Sequence, residues 1–335
     1  MSDKSPLLEA QEKFLERVPA GVMAAEGVAL SAAVGRTLSG ALQASTDLPA
    51  YPRAIVEGYL IHTADSQDAT EDAPVKLKIV GEIKPGDEQA PDFERGQALR
   101  IVTGCIVPEG GYSSVRPWDA EEAAGEVVVK RPFPPRFFIE EQGYDHKAGD
   151  AVIAEAKQID AADVGNAASL GLNELSVAKK PVVTIFASGN EVIPHTEEMK
   201  PGLIRDCNSV MLAAAVNESG GQAVMAGIVK DDFDYFVSEV KKALAKSDMV
   251  VISGGTAVEG RDFISDLLRE VGELVIDGVP MRSGRPLIMG VADQKPLICV
   301  AGHPPEALRG YRLFGLPAIK KLMGQAVSAE DYTEQ

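Results

Sequence analysis

Residues 248–263 read Asp-Met-Val-Val-Ile-Ser-Gly-Gly-Thr-Ala-Val-Glu-Gly-Arg-Asp-Phe. The apolar run 249–252 predicts a short strand, Ser253-Gly254-Gly255 turns it, and an amphipathic helix opens at about Asp262. Glycines let the backbone bend sharply and approach a ligand closely. A helix N-terminus brings unpaired N–H groups and positive dipole to the same spot. Such a turn at the carboxyl end of a strand is the usual ligand position in open α/β sheets. The stretch therefore reads either as an anion pocket or as a tight strand-to-helix connection with no ligand.

The same alternation extends on both sides. Strands are expected at 182–187, 223–229, 249–252, 273–276, 286–289 and 297–300. Helices are expected at 208–218, 234–246, 262–271 and 305–323, the first capped by Asn208 or Ser209 and closed by Gly220-Gly221. Strands separated by helices of this length imply a mostly parallel sheet covered on both faces, a three-layer α/β/α domain. Upstream, residues 7–18 carry apolar side chains at helical spacing, 28–38 read as a strand and short helix, and 161–170 as a helix. Between about 48 and 135 the chain is rich in Pro, Gly and short β-type runs (75–83, 98–102, 125–130 and 136–139), which suggests a small β domain. Its acidic segments, 65–72, 87–94 and 119–126, are expected to be exposed loops. No internal repeat is present.

Composition narrows the function. At 335 residues, two or three domains with sizeable cores are expected. Only 5% of residues are aromatic and the net charge is −17, so stacking platforms and a phosphate-binding surface for nucleic acid are not expected. An acidic surface also disfavours anionic membranes, and no apolar run approaches a bilayer span. Cys105, Cys207 and Cys299 are widely spaced and form no metal-ligand pattern. With no signal peptide, they point to a reducing compartment, the cytoplasm. Loops of the Gly-x-x-x-x-Gly-Lys-Ser/Thr, Gly-x-Ser-x-Gly and His-Glu-x-x-His types are missing, and the four histidines are scattered, which leaves little support for a nucleophilic hydrolase or zinc enzyme.

Several turns should meet at one edge of the sheet. Ser253-Gly254-Gly255 with Asp262 is the first. The second is Met281-Arg282-Ser283-Gly284-Arg285-Pro286, whose two guanidinium groups suit an oxyanion through forked hydrogen bonds, or are ordinary surface charges. The third is Ala301-Gly302-His303-Pro304-Pro305-Glu306, where His303 could hydrogen-bond or protonate a ligand, or serve the turn itself. Ser188-Gly189-Asn190-Glu191 is a fourth. Asp206-Cys207-Asn208-Ser209 opens a helix, where a cap is the plain explanation.

Taken in order, these elements resemble the molybdopterin molybdenumtransferase family, the bacterial MoeA proteins and the gephyrin E-domain. The resemblance covers nearly the whole chain. Residues 28–38 look like the family's opening segment. Thr103-Gly104-Cys105-Ile106-Val107-Pro108-Glu109-Gly110 is similar to Thr-Gly-Ala-x-x-Pro-x-Gly, and Ser188-Gly189-Asn190-Glu191 to Thr-Gly-Asp-Glu. Residues 201–209 resemble Pro-Gly-x-Ile-x-Asp-x-Asn, and Ser253-Gly254-Gly255-Thr256-Ala257-Val258 resembles Ser-Gly-Gly-Val-Ser-Val, with Asp262 on the following Asp. The chain then divides into an elongated, discontinuous linker domain of helix and strand (1–47 and 140–180), a small β domain (48–139), a molybdopterin-binding α/β domain (181–325) and a tail (326–335).

The resemblance implies molybdenum cofactor biosynthesis: insertion of molybdenum from molybdate into adenylylated molybdopterin, with release of AMP and assistance from Mg²⁺. It also implies a homodimer. Ser253, Gly254, Gly255, Arg282, Arg285, His303, Thr103, Gly104, Glu191 and Asn208 would bind the cofactor, and Asp262, Glu57 and Asp145 would carry catalysis. Asp262 and Glu57 would hold the metal, for which hard oxygen ligands are suited. The pattern also departs from the family. Asp-Asn-Ser-x-Met-Asp-Gly-Tyr is replaced by residues 52–59, of which Glu57-Gly58-Tyr59 is recognisable. Lys-Pro-Gly-Lys-Pro is replaced by residues 282–286. Gly-Glu-Asp becomes Gly143-Tyr144-Asp145. Pro-Gly-Asn-Pro-x-Ser becomes residues 301–306, which puts the acid Glu306 where a small hydroxyl is usual and where it would repel an anion. The family's C-terminal β domain is not expected here. The alternative function is a noncatalytic molybdopterin-binding carrier, regulator or scaffold.

Overall fold

A computed structural model describes residues 5–255, 263–281 and 284–332. The chain forms two compact units: residues 1–41, 154–165 and 173–335, and residues 42–153 with 166–172. The expected sites Asp262 and Arg282 lie outside the described residues.

The larger unit is built on a six-stranded sheet. Its strands are β1 (Val182–Ser188), β2 (Gln222–Val229), β3 (Met249–Gly254), β4 (Glu273–Met281), β5 (Gly284–Ala292) and β6 (Lys295–Val300), in the order β2-β1-β3-β6-β5-β4. The first four in that order are parallel, and β5 and β4 run antiparallel at one edge. Side chains alternate faces along a strand, so consecutive apolar residues serve two cores. On one face Val183, Ile185, Met249, Val251, Ile298 and Val300 join Leu212 and Val216 of α2 (Asn208–Glu218) and Phe14 of α1 (Pro6–Arg17). On the other, Phe186, Val250, Ile252, Leu297 and Cys299 meet Phe236 and Val240 of α3 (Phe233–Leu244) and Ile264, Leu267 and Leu268 of α4 (Phe263–Val271). Each such fully buried Ile, Leu or Phe is worth about 1.5–3 kcal/mol. The result is the three-layer α/β/α arrangement, and α1 belongs to its core.

Two details differ from the sequence reading. The short strands expected at 273–276 and 286–289 are the two arms of a nine-residue-per-strand hairpin. Register shifts and Gly278 at φ 86° interrupt its alternation and hide its length. The helix expected at 305–323 is present over Pro304–Leu322 but carries a π turn inside it: α5 (Pro304–Gly310) passes through Tyr311–Gly315 into α6 (Leu316–Leu322) with helical backbone throughout. Pro317 cannot donate the backbone hydrogen bond that a continuous α-helix needs there. The bulge also seats the Tyr311 ring against Gly315, where a Cβ would overlap it, and lets the Tyr311 hydroxyl donate to Ser219 Oγ at 2.8 Å.

The smaller unit carries a second six-stranded sheet, ordered Tyr112–Val115, Gly58–His62, Gln97–Ile101, Val75–Glu82, Glu126–Val129 and Ala120–Ala123. The segment expected as a strand at 136–139 is mostly turn, because Arg136 and Phe138 sit at φ 59° and 50°; only Ile139–Glu140 is extended. The acidic run 119–126 is not simply a loop: Ala120–Ala123 is an edge strand of this sheet.

Two glycines test the packing with opposite signs. A Cβ on Gly272, between α4 and β4, would overlap the Val291 carbonyl, so Gly272→Ala is expected to destabilise by about 1–3 kcal/mol. Gly165 lies in the helix Ala161–Ser169 with nothing near its Cβ position, so Gly165→Ala is expected to stabilise by about 0.5–1 kcal/mol. Urea unfolding of the two variants measures both.

Candidate functional site

A cavity of about 470 Å³ opens at the carboxyl edge of β1, β3 and β6. That volume is within the range of small-molecule sites. Its walls are Ser188 and Glu191 after β1, Ser253, Gly254 and Gly255 after β3, Gly302 and His303 after β6, and Ile204 to Asn208 leading into α2. Four segments far apart in sequence meet here because parallel strands put their carboxyl ends side by side.

The glycine turn has a steric cause. Gly254 and Gly255 lie at φ 90° and 74°. A Cβ on Gly254 would sit 2.7 Å from the Ser188 carbonyl oxygen, and one on Gly255 would sit 2.9 Å from Ser188 Oγ. Both positions therefore need glycine, for backbone angle and for space. Asn208 fixes the turn from the other side. Its Nδ2 donates to Ser253 Oγ and to the Gly302 carbonyl, each at 2.8 Å, and Ser253 Oγ donates to the Ala301 carbonyl at 3.3 Å. Asn208 and Ser253 are both buried. The Cys299 thiol, beneath the turn, donates to the Gly254 carbonyl at 3.4 Å.

The remaining wall is a short parallel bridge between Val192–Ile193 and Ile204–Arg205. Asp206 Oδ1 accepts from the Ser209 backbone N–H at 2.9 Å and so caps α2, the plain role expected for this segment. Lys230 donates to the carbonyls of Asn190 and Val192, both at 3.1 Å, and anchors the loop that carries Glu191. Arg205 donates to the Glu197 carbonyl through Nε and Nη2. Glu191 and His303 are exposed at the cavity. The sequence reading did not single out Ile204, Arg205 or Cys207 as wall residues. The Pro-Gly-x-Ile segment that places them was visible, but nothing in it revealed the pairing with 192–193.

Of the expected cofactor-binding residues, Ser253, Gly254, Gly255, Asn208, Glu191 and His303 share this cavity. Arg285 does not line it; its guanidinium donates to the carbonyls of Asp277 and Gly278 across the β4–β5 hairpin. Glu306, expected to oppose an anion, is buried in α5 and is not part of the cavity wall. Glu57, Thr103, Gly104 and Asp145 belong to the smaller unit. There Gly104 donates its N–H to the Ala54 carbonyl at 2.8 Å, Thr103 Oγ1 lies 3.4 Å from the Ile55 carbonyl, and Asp145 pairs with Arg53 at 3.7 Å. Glu57 is exposed.

For Mg²⁺, the cavity offers the hard carboxylates Glu191 and Asp206. Among the described residues no group of three or more His, Cys, Asp or Glu could hold a metal. Mg²⁺ commonly takes only one or two protein carboxylates and completes its shell with substrate oxygens and water. The donors present fit that mode and not a protein-only cage.

Two protein families match this chain: the MoeA N-terminal region (domain I and II) over residues 5–171, and a "probable molybdopterin binding domain" over residues 184–321. The molybdopterin molybdenumtransferase of a Nostoc species is 30% identical over 305 residues, which covers 90% of this chain and 70% of that protein. The chain belongs to the molybdopterin molybdenumtransferase family. The Staphylococcus epidermidis member is 28% identical over 296 residues, covering 88% of this chain and 71% of its own. A molybdopterin biosynthesis MoeA protein from Pyrococcus horikoshii OT3, solved by crystallography, aligns with a TM-score of 0.82 at 26% identity over 96% of this chain and 80% of that one. The cavity lies within the stretch matched by the molybdopterin-binding family.

The three cysteines give a direct probe of this wall. Cys207 is exposed, whereas Cys105 and Cys299 are buried, and burial pushes the Cys299 thiol well above its ordinary pKa. A thiol-reactive disulfide reagent applied to the native protein is expected to label one cysteine quickly and the other two only on unfolding. Cys207→Ser should abolish the fast phase; a fast phase that persists would place Cys207 away from solvent.

Proposed function

We propose that this protein binds molybdopterin, as its adenylylated form, in the cavity at the carboxyl edge of β1, β3 and β6, and that it inserts molybdenum from molybdate with release of AMP. The observation that carries this reading is the doubly positive-φ turn Gly254-Gly255, held open between Ser188 and Asn208. Glycines at a strand-to-helix turn let a ligand approach the backbone closely. Asn208 spends its amide hydrogens on the protein, so its part is to hold the turn in place. His303, exposed beside Gly302, is placed to meet a polar ligand group. Arg285 spends Nε and Nη2 on the carbonyls of Asp277 and Gly278, so its part in phosphate binding would fall to Nη1.

Glu191 and Asp206, with Asp262 and Glu57 as the family resemblance implies, would hold Mg²⁺, which would supply charge neutralisation at the phosphoanhydride. Glu57, Asp145, Thr103 and Gly104 of the smaller unit, and Arg282, are proposed as further site residues on the family resemblance. The protein is read as a cytoplasmic homodimer. A net charge of −17 supports a small-molecule partner over nucleic acid, and no described helix is long and apolar enough to cross a membrane.

A second reading, a noncatalytic molybdopterin binder, is favoured by the altered segment 52–59. AMP release separates the two. Purified protein with adenylylated molybdopterin, Mg²⁺ and molybdate is expected to release AMP in a molybdate-dependent manner, and Asp262→Asn to remove the Mg²⁺ dependence with an unchanged circular dichroism spectrum. Ligand binding without AMP release would leave the binder reading in its place.

A further inference from the structure

Ser188 stands apart from the other polar groups of the cavity. It ends β1, lines the cavity and is only 4% exposed, yet its hydroxyl has no hydrogen-bond partner among the described residues. The buried or half-buried neighbours are engaged: Ser253 Oγ with Asn208 and Ala301, Asn208 with Ser253 and Gly302, and Asp206 with the Ser209 N–H. A buried hydroxyl left unpaired costs stability, and such a group in a native fold calls for an explanation. The space beside it is also kept clear. Ser188 Oγ is 2.9 Å from the Cβ position of Gly255, so any other residue at 255 would cover the hydroxyl. Ser188 pairs with Gly254 in the parallel ladder, which sets its side chain beside Gly255.

We propose that Ser188 is a ligand-binding residue whose hydroxyl donates a hydrogen bond to a phosphate oxygen of the bound pterin, beside the backbone of Gly254 and Gly255. The assignment rests on the proposed function of the cavity and names a donor that recognises the phosphate. Its logic is a difference between states. The unliganded protein carries the cost of the unpaired hydroxyl, and the complex recovers it through a charge-assisted bond. A structural serine would behave the other way, with its bond already made in the unliganded fold.

The test compares the wild type with Ser188→Ala in the presence of Mg²⁺. Both are titrated with molybdopterin and with its dephosphorylated form, and the unliganded thermal midpoint of each is recorded. Ser188→Ala is expected to weaken molybdopterin binding roughly ten- to hundredfold, the range for a hydrogen bond to a charged group. It should leave affinity for the dephosphorylated form unchanged and the unliganded midpoint equal or higher. Unchanged molybdopterin affinity overturns the assignment while leaving the cavity reading intact. So does an equal loss for both ligands, or a lowered midpoint, because either would make Ser188 a structural residue. Failure of the wild type to bind molybdopterin overturns the cavity reading and the Ser188 assignment together.

Discussion

The close approach of β1 to the end of β3 governs the rest of the site. Ser188 and Gly254 are paired in a parallel ladder, and the Ser188 carbonyl and hydroxyl occupy the space that side chains on Gly254 and Gly255 would need. The chain can leave β3 only by a turn that glycine alone adopts, and the cavity is the space that turn encloses. Three further ties hold it: the Asn208 amide to Ser253 and Gly302, the Ser253 hydroxyl to Ala301, and the Cys299 thiol to Gly254. They link the ends of β3 and β6 to the start of α2. A change in any one strand end therefore moves the others.

Charge plays a different part here than in many anion sites. The protein is strongly acidic, and three of its described cations hydrogen-bond to backbone carbonyls. Arg205 holds the Glu197 carbonyl, Lys230 holds those of Asn190 and Val192, and Arg285 those of Asp277 and Gly278. The described wall offers backbone, the hydroxyl of Ser188, the carboxylates of Glu191 and Asp206, the imidazole of His303 and the guanidinium of Arg205. Backbone donors in a fixed turn select by geometry, whereas a flexible lysine would attract anions indiscriminately. The carboxylates Glu191 and Asp206 raise selectivity further, since an anion without an accompanying cation meets repulsion.

Much of this was legible in the sequence because the central strands are buried on both faces. Runs such as 249–252 and 297–300 can be little else, and the Gly-Gly turn after the first of them marks the edge where ligands bind. What could not be read arose from long-range contacts. The β4–β5 hairpin is obscured by its bulges and by Gly278, and the π turn at Tyr311–Gly315 goes with Pro317 and with a ring packed against Gly315. The commitment of Arg285 to carbonyls seven and eight residues away is likewise invisible in a linear pattern. An arginine in such a segment looks like an anion ligand until the hairpin offers it carbonyl partners, as it does Arg285. Glu306 illustrates the reverse case: it looks repulsive in a motif, yet the fold buries it away from the wall.

The altered segment 52–59 can be divided on the same physical grounds. Gly58 lies at φ 139°, and a Cβ there would overlap the Val115 carbonyl, so its retention follows from packing and carries no chemical information. Tyr59 is buried, and its hydroxyl donates to Glu122 at 2.7 Å, which also accounts for it structurally. Glu57 differs from both. It is exposed, and neither backbone angle nor packing requires an acid at that position. Of the three residues that keep the family's pattern, it is therefore the one whose presence chemistry rather than folding has to explain.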